Sequence, residues 1–508
     1  MLAPNLSAVA DGRRTYDVCL VGAGPAGITL AELLGQRGLS VLLLEAGPME
    51  YSVESQALYE GDIFGKLSFP MSVARLRLFG GTSNHWGGWS RRLDAHDFEN
   101  KIPGVDGAWP IKRSDLDPYA KLSGEILDLK PVPDDQPLDE NLTYIHFAYS
   151  PPTNFAVKYR ESLEKSPNVT VVTQAALINV TEQSGQITGL IVRGADNRDV
   201  TITARRYVLC AGGIENSRLL LWFNATNHNR IVKDPTALGR YWMEHPHFTL
   251  GEALLNTKQV PWTFDQKSTA YISPTTRAIH ERHVLNCALR LHPMHYEGTK
   301  ALVADLACVA PDTAQWALSK LKYKLVCGTQ IRANWEQAPL PWNRVTLGTA
   351  RDALGIPRVD LHWEYGDIER NTARRVFQMF GEYLVHNNMG RARMLPWLAG
   401  DGDFPEDDEI RGNHHMGGTR MSTDTQRGVV DTDLRIHGLS NFYVCGSSVF
   451  PSAGEANPTW TIIQLACRLA DHLTRPDAAG VLDAKSSGTA STSTVAPRPV
   501  STASTPRS

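Results

Sequence analysis

The first pattern along the chain is an apolar run, then closely spaced glycines, then an apolar stripe at helical spacing. Val18–Val21 are four consecutive apolar residues, as is typical of a strand buried in a parallel sheet. Gly22–Gly27 carry glycine at their first, third and sixth positions, and apolar residues follow between 28 and 34. Gly38 suits a helix C-terminus, and Val41–Leu44 suit a second strand. The pattern predicts strand, turn, helix and strand.

Apolar runs predict further elements along the rest of the chain. Strands are expected over 169–172, 189–192, 200–204, 206–210, 344–349, 359–363 and 442–446. Helices are expected over 214–222, 368–384 and 460–473, and residues 48–78 are expected to be irregular. Because longer β-like runs and tryptophans concentrate between 240 and 412, we expect a separate, sheet-based domain there.

These patterns predict five segments. They are a flexible arm (1–14), the first part of a nucleotide-binding domain (15–239), a substrate-binding domain (240–412), a return to the nucleotide-binding domain (413–476) and a disordered tail (477–508). The tail is rich in Ser, Thr, Ala and Pro and has no aromatic residue, so it cannot bury enough surface to order itself.

The glycines of the first turn have the spacing of a dinucleotide-binding motif. Gly22 permits a tight turn, Gly24 lets the backbone approach a pyrophosphate, and Gly27 lets the helix lie close to the strand. Glu45 ends the second strand, where a carboxylate can accept hydrogen bonds from a ribose. The alternative is a glycine-rich turn that binds no ligand. That alternative would not explain why a second strand and an acidic residue follow at the expected distance. We therefore predict dinucleotide binding.

Two more glycine-rich stretches are candidates for the same site. Two glycine pairs flank 82–86, which read Thr-Ser-Asn-His-Trp, so small polar groups and an imidazole can face a ligand; the alternative is a surface loop with a core tryptophan. Ala211–Gly213 separate a strand from a helix, and Gly446 ends a later strand. These stretches indicate further walls of the nucleotide site.

Composition narrows the class of protein. With 508 residues, 21% of them charged, and a net charge of −3, the chain is a globular protein without a basic surface for nucleic acid. No apolar stretch approaches the length of a membrane span. The seven cysteines are scattered, odd in number and without a Cys-x-x-Cys pattern, so we expect reduced thiols, no metal site and a cytoplasmic enzyme.

Four motifs in this order resemble the glucose–methanol–choline (GMC) family of flavoprotein oxidoreductases. They are Gly22–Gly27 with Glu45, Gly80–Gly88, Ala211–Asn216, and His415 with Asn457. The likeness runs from about Tyr16 to Leu473, and its style is similar to the bacterial pyranose-oxidase-like branch. It implies an α/β fold, α+β overall, in which a Rossmann-type FAD-binding domain is interrupted by a mainly antiparallel-sheet substrate domain with helices.

The resemblance also implies site residues and a reaction. The expected catalytic pair is His415 and Asn457; His414 is the alternative if the loop register differs by one. The expected FAD-binding residues are Gly22, Gly24, Gly27, Glu45, Gly81, Thr82, Asn84, His85, Trp86, Gly87, Ala211, Gly212, Gly446, Asn457, Pro458 and Thr459. The histidine would take a hydroxyl proton while a hydride leaves carbon for flavin N5. Asn457 would donate to the substrate oxygen.

His85 occupies the position at which several members of the family attach FAD covalently; others with a similar sequence there do not, so both states stay open. The implied substrate is an alcohol group of a sugar, glycoside or amino sugar, with O2 or another electron acceptor. The alternatives are a sterol or aliphatic alcohol oxidase, a non-catalytic flavin-binding protein, and a nicotinamide-linked dehydrogenase.

An acidic run precedes the histidine loop. Six acids lie within ten residues, at positions 401, 403 and 406–409. They form either a solvated surface loop or an entrance that attracts a cationic substrate, such as an amino sugar, because a cleft of one sign concentrates the opposite charge.

Overall fold

The computed structural model describes residues 1–3, 5–9, 15–65, 69–256, 259–294, 328–400, 402–405 and 412–475. Its strands are β1 Tyr16–Val21, β2 Val41–Leu44, β3 Gly61–Phe64, β4 Trp89–Ser90, β5 Gln136–Pro137, β6 Leu142–Ile145, β7 Ala148–Tyr149, β8 Val169–Val172, β9 Ala176–Gln183, β10 Gln186–Arg193, β11 Asp199–Ile202, β12 Ala204–Leu209, β13 His247–Leu255, β14 Ala270–Pro274, β15 Cys287–Pro293, β16 Thr329–Trp335, β17 Arg344–Arg351, β18 Pro357–His362, β19 Gly390–Met394 and β20 Phe442–Val444.

The described residues also form α-helices. They are α1 Pro25–Gln36, α2 Val53–Ala57, α3 Ala120–Ile126, α4 Phe155–Lys165, α5 Glu215–Thr226, α6 Thr276–Arg282, α7 Asp367–His386, α8 Pro396–Ala399 and α9 Thr459–Leu473. The mixed α/β class predicted from the sequence is confirmed. Residues 48–78, expected to be irregular, contain α2 and β3.

A five-stranded parallel sheet forms the first layer, in the order β20-β12-β1-β2-β8. Every residue of β2 and of β8 is buried, as expected for their nearly all apolar sequences when helices cover both faces. From β1 the chain proceeds to β2 on one side, and β12 lies on the other side. A crevice therefore opens beyond the carboxyl end of β1, which is where ligands bind in such sheets.

Helix α1 packs against α9, so residues from the two ends of the described chain form one core with the parallel sheet. The apolar stripe of α1 includes Ile28, Leu30 and Leu34, all fully buried. Gly38 adopts a φ of +83°, the left-handed conformation that stops the helix.

A seven-stranded antiparallel sheet forms the second unit, in the order β19-β13-β16-β15-β14-β6-β5. Helix α7 contacts β15, β16 and β19. Gly251 in β13 is needed for this packing, since a Cβ there would lie 2.5 Å from the Phe377 ring. The predicted antiparallel second domain is confirmed.

Two of the expected segments differ from the structure. Strands β5 and β6 belong to the antiparallel sheet although they precede residue 240, because β6 pairs with β14 and β5 pairs with β6. The expectation of a flexible arm over 1–14 is wrong for its described residues: Leu2 forms a bridge with Val171, and Leu6 and Val9 are buried. Residues 477–508, the expected disordered tail, lie outside the described residues.

The cysteines that the structure describes are buried, unpaired core residues, namely Cys19, Cys210, Cys287, Cys445 and Cys467. Burial raises the pKa of each of these thiols. In the described ranges, no helix is both long and apolar enough to cross a membrane.

Candidate active site

A cavity of about 520 Å³ lies at the carboxyl edge of the parallel sheet and extends to the antiparallel sheet. Most of the residues expected at the site from the sequence line it: Gly22, Gly24, Glu45, Gly81, Thr82, His85, Trp86, Gly87, Ala211, Gly212, His415, Asn457, Pro458 and Thr459. The structure therefore gathers motifs from both ends of the described chain around one cavity.

Three expected cofactor residues do not line the cavity and have supporting roles. A Cβ on Gly27 would lie 1.9 Å from the Gly22 carbonyl oxygen, so Gly27 allows α1 to approach the turn. Asn84 closes its own loop by donating from Nδ2 to the carbonyls of Phe79 and Gly81. Gly446 ends β20 with a φ of +144°, and its neighbour Ser447 lines the cavity instead.

The glycine turn has the room and the polarity that a pyrophosphate needs. A Cβ built on Gly24 or on Gly212 meets no atom within 4 Å, although both residues are in the cavity wall. Helix α1 begins beside Gly24 with no side-chain cap and no acid in its first turn. Its first N–H groups and its positive dipole end are therefore available to an anion. These residues fit the diphosphate of FAD.

Glu45 is fixed at the end of β2 by two backbone hydrogen bonds. The N–H of Ala23 donates to Oε2 at 2.8 Å, and the N–H of Gly47 donates to Oε1 at 2.7 Å. Burial raises the pKa of the carboxyl group, while these hydrogen bonds oppose the shift. The carboxylate lies in the cavity wall beside the glycine turn, where ribose hydroxyls can reach it.

The histidine loop is positioned by a short antiparallel pairing. Met243 and Met416 exchange two backbone hydrogen bonds, of 2.8 and 3.0 Å. In such a pair, residues two positions away on each side again face each other, so His245 lies opposite His414. Oε1 of Glu244 accepts from the backbone N–H of both His245 and His414, at 2.8 and 2.7 Å. This carboxylate holds the two segments in register.

His414 is the histidine that meets Asn457. Its Nε2 lies 3.2 Å from Nδ2 of Asn457, and its Nδ1 lies 2.9 Å from Nδ1 of His245. Burial lowers the pKa of His414 to about 4, so the ring is neutral at physiological pH. Gly412 makes room for this ring, because a Cβ there would lie 2.5 Å from Nδ1 of His414.

His415 faces the opposite way, because adjacent side chains alternate along an extended segment. Its Nε2 lies 3.9 Å from Oε2 of Glu244, and its ring lies between Phe69 and Trp242, with centroids 6.0 and 5.8 Å away. The expected pairing of His415 with Asn457 is therefore corrected: the geometry favours the alternative register, in which His414 is the partner.

The loop that carries Asn457 is held by buried contacts. Nδ2 of Asn334 donates to the carbonyl of Glu455 at 3.0 Å, and Nε of Arg91 donates to Oε1 of Glu455 at 3.0 Å. Burial raises the pKa of Glu455 to about 8, although Arg91 opposes the shift. Asn457 is therefore connected through its loop to β16, a strand of the antiparallel sheet.

The antiparallel sheet supplies a wall that the sequence did not indicate. His247, Tyr271, Arg290 and Asn334 come from four different strands of that sheet and all line the cavity. Arg290 faces Tyr271 on one side and Arg332 on the other in the strand register. Burial first, and then the charges of Arg290 and His414, lower the pKa of His247 far below its ordinary value. Only the alternation of apolar and polar residues within each strand could have pointed to these positions.

An aromatic pair completes this wall. Nε1 of Trp89 donates to the Tyr271 hydroxyl at 2.9 Å, and both residues line the cavity.

Most of the acidic run that precedes the histidine loop, including residues 401 and 406–409, lies outside the described residues.

Two models of known protein families match the chain. The GMC oxidoreductase model matches residues 339–466, and an FAD binding domain model matches residues 15–59. The first match includes the histidine loop and Asn457, and the second includes the glycine turn and Glu45. The two matches therefore cover the two sides of the cavity.

Several characterised proteins are similar in sequence. The fructose dehydrogenase large subunit of Gluconobacter japonicus is 25% identical, over 57% of this chain and 51% of the relative. The 6'''-hydroxyparomomycin C oxidase of Streptomyces lividus is 25% identical, over 92% of this chain and 94% of the relative. The C-glycoside 3-oxidase of Microbacterium trichothecenolyticum is 23% identical, over 61% of this chain and 54% of the relative. The match thus spans about half the length of the first and third relatives and nearly all of the second.

Solved structures share the fold. Pyridoxine 4-oxidase from Mesorbium loti superposes with a TM-score of 0.54 at 17% identity, covering 90% of this chain and 99% of that one. Formate oxidase from Aspergillus oryzae superposes with a TM-score of 0.51 at 15% identity, covering 91% of this chain and 98% of that one. These likenesses extend over both sheets.

The glycine turn and the room beside it fit FAD, and the histidine and the asparagine line the same cavity, as in an FAD-dependent oxidoreductase. Over residues 339–466 the chain is similar to the GMC oxidoreductase family.

Proposed function

We propose that this protein oxidises a hydroxyl group of a sugar or glycoside to a carbonyl, with His414 as the general base. The observation that carries this proposal is the contact between His414 and Asn457 in the wall of the cavity that also contains the dinucleotide motif. A base, an amide donor and a cofactor site around one cavity are the parts that alcohol oxidation requires.

FAD would be held by the glycine turn and helix α1 at its diphosphate, by Glu45 at a ribose, and by the loop 81–87 along the cavity wall. When bound, FAD supplies the acceptor for the hydride that leaves the substrate carbon. Orientation, proton transfer and exclusion of water are left to the side chains around the cavity.

His414 has the protonation state that a base needs. Its pKa of about 4 leaves the imidazole neutral at pH 7, so Nε2 can accept the hydroxyl proton. Asn457 cannot accept that proton through Nδ2, but it can donate to the substrate oxygen as negative charge develops there. Because the two groups are 3.2 Å apart, one hydroxyl oxygen can reach both of them.

The wall formed by the antiparallel sheet and Trp89 favours a sugar ring. Trp89 and Tyr271 offer aromatic surface to the apolar face of a ring, and Arg290 and Asn334 offer donors to its hydroxyl groups. A sterol would need a larger apolar pocket than this mixed wall provides. The names of the fructose-, hydroxyparomomycin- and C-glycoside-oxidising relatives support the same substrate class.

Anaerobic reduction of the bound flavin tests the proposal. The purified protein is mixed with a panel of neutral sugars, glycosides, aminoglycosides, a sterol and a short aliphatic diol, and loss of the visible flavin absorption is followed. Reduction by a sugar or glycoside, and reoxidation when O2 or a quinone is admitted, is the expected result. Reduction only by the sterol or the diol would assign the alternative alcohol class, and no reduction by any compound would favour a non-catalytic flavoprotein.

His85 lies in the cavity wall, and burial lowers the pKa of its imidazole. Acid precipitation of the protein distinguishes the two possible states of the cofactor. Flavin that stays in the pellet, and that the variant His85→Ala releases, indicates a covalent bond; flavin in the supernatant indicates none.

A further inference from the structure

His245 contacts His414 at Nδ1, the ring nitrogen that faces away from Asn457. Their Nδ1 atoms are 2.9 Å apart, and the planes of the two rings are almost perpendicular, at 85°. His245 is fully buried and, within the described part of the chain, is not among the residues of the cavity wall. It therefore contacts the cavity wall through His414.

The hydrogen bonds fix which nitrogen of His414 carries the proton. An amide NH2 group only donates, so the contact with Nδ2 of Asn457 requires Nε2 of His414 to accept. A neutral imidazole has one protonated nitrogen, and that nitrogen must then be Nδ1. Across the 2.9 Å contact, Nδ1 of His414 donates and Nδ1 of His245 accepts. The proton of His245 consequently lies on its Nε2.

The groups around His245 have opposite effects on its pKa. Burial and His414 lower its pKa, whereas the backbone carbonyls of Gly454 and Ala453 favour a proton on the ring. Other groups that face the pair are Glu244, which accepts from both backbone N–H groups, and His247, which is itself close to Arg290 and Arg332. Both imidazoles are therefore held neutral, with one shared N–H···N hydrogen bond.

From this arrangement we infer that His245 is a positioning residue for the proposed oxidation: it accepts a hydrogen bond from Nδ1–H of His414 and so keeps Nε2 unprotonated and able to take the hydroxyl proton. When the hydroxyl O–H bond breaks, its proton forms a bond to Nε2, and the resulting positive ring keeps its Nδ1–H···Nδ1 bond to His245. This inference rests on the proposed function for its catalytic part only, because the tautomer is a property of the protein itself.

Two variants separate the acceptor from the space that it fills. In His245→Asn, the amide oxygen takes approximately the place of Nδ1 and can still accept. In His245→Leu, a side chain of similar bulk offers no acceptor. We expect both variants to retain FAD, judged by visible absorption. The limiting rate of anaerobic flavin reduction should fall at least about tenfold in the leucine variant and change by less than about threefold in the asparagine variant, with similar substrate affinity in both.

A substrate-independent readout distinguishes failure of this inference from failure of the proposed function. In FAD-loaded protein with 15N-labelled histidine, the signals of His414, identified by their loss in His414→Ala, should show a protonated Nδ1 and an unprotonated Nε2 at neutral pH. The leucine variant should shift toward the other tautomer. An unprotonated Nδ1 in the wild type, or equal reduction rates in His245→Leu and the wild type, would overturn the role of His245. Equal losses in both variants would assign a purely structural role. If no sugar reduces the wild-type flavin, the spectra alone decide.

Discussion

Nε2 of His414 faces Nδ2 of Asn457 at 3.2 Å, whereas the next residue, His415, turns its ring toward Glu244. Substitution of each histidine therefore has a different expected effect. His414→Ala should keep FAD but lower the rate of anaerobic flavin reduction about 10²-fold or more, since a positioned base contributes about 10² to 10⁴. His415→Ala is the matched control, and it should keep most of the rate. The opposite result would restore the register with His415 as the base.

The low pKa of His414 predicts an unusual pH profile. Only the neutral ring accepts a proton, and burial lowers its pKa to about 4. The rate of flavin reduction should therefore stay constant as pH falls from neutral and decline only as pH passes through about 4. An ordinary histidine would already lose its activity near pH 6.5. Stopped-flow measurement of the flavin-reduction rate across this pH range checks the direction of the pKa shift. A decline in rate centred near pH 6.5 would contradict the effect of burial on His414.

Loss of space beside the pyrophosphate should abolish FAD binding. Gly24→Val would fill the open region at the start of α1, so the purified variant should be colourless. Gly381→Val is the control, because Gly381 in helix α7 also has no atom within 4 Å of an added Cβ. That variant should keep its visible absorption. A yellow Gly24→Val protein would argue against the glycine turn as the diphosphate site.

The charge of Arg290 predicts a preference for neutral substrates. A guanidinium in the cavity wall repels an amino sugar, so kcat/KM for a neutral glycoside should equal or exceed that for an aminoglycoside. Arg290→Gln should improve the aminoglycoside relative to the neutral glycoside. Arg391→Gln removes the same charge from an exposed position of β19 and should change neither value.

The salt dependence of kcat/KM distinguishes repulsion by Arg290 from attraction by the acidic run before the histidine loop. If those carboxylates draw in a cationic substrate, its kcat/KM should fall steeply as salt rises, because the Debye length is only about 10 Å at 0.1 M. Strong preference for the aminoglycoside at low salt would therefore contradict the role of Arg290.

The nucleotide site was predictable because its signals are local. The strand, the turn and the acid at Glu45 lie within one short stretch, and each position has a specific requirement for glycine or charge. The predicted strands Val41–Leu44 and Val169–Val172 agree with the structure residue for residue. Short β-branched and apolar runs of this kind, bounded by polar residues, mark a buried strand and its ends.

The orientation of the two histidines was not predictable, because it depends on a partner far away in sequence. In the pair His414 and His415, either ring could face Asn457 until the pairing of Met243 with Met416 fixes the alternation. The same holds for Arg290, which reaches the site only through the pairing of antiparallel strands. Non-local pairing likewise explains why β5 and β6 belong to the second sheet although they precede residue 240.

Strand β20 pairs with β12 at the edge of the parallel sheet, and it comes after every strand of the antiparallel sheet in the chain. During synthesis, the ribosome must therefore complete the whole substrate-side sheet before the nucleotide-binding sheet can gain its last strand. Until then, β12 has an unpaired edge, the kind of surface that promotes aggregation. A recombinant fragment that ends near residue 239 would keep that exposed edge permanently, so we expect it to aggregate more readily than the full chain.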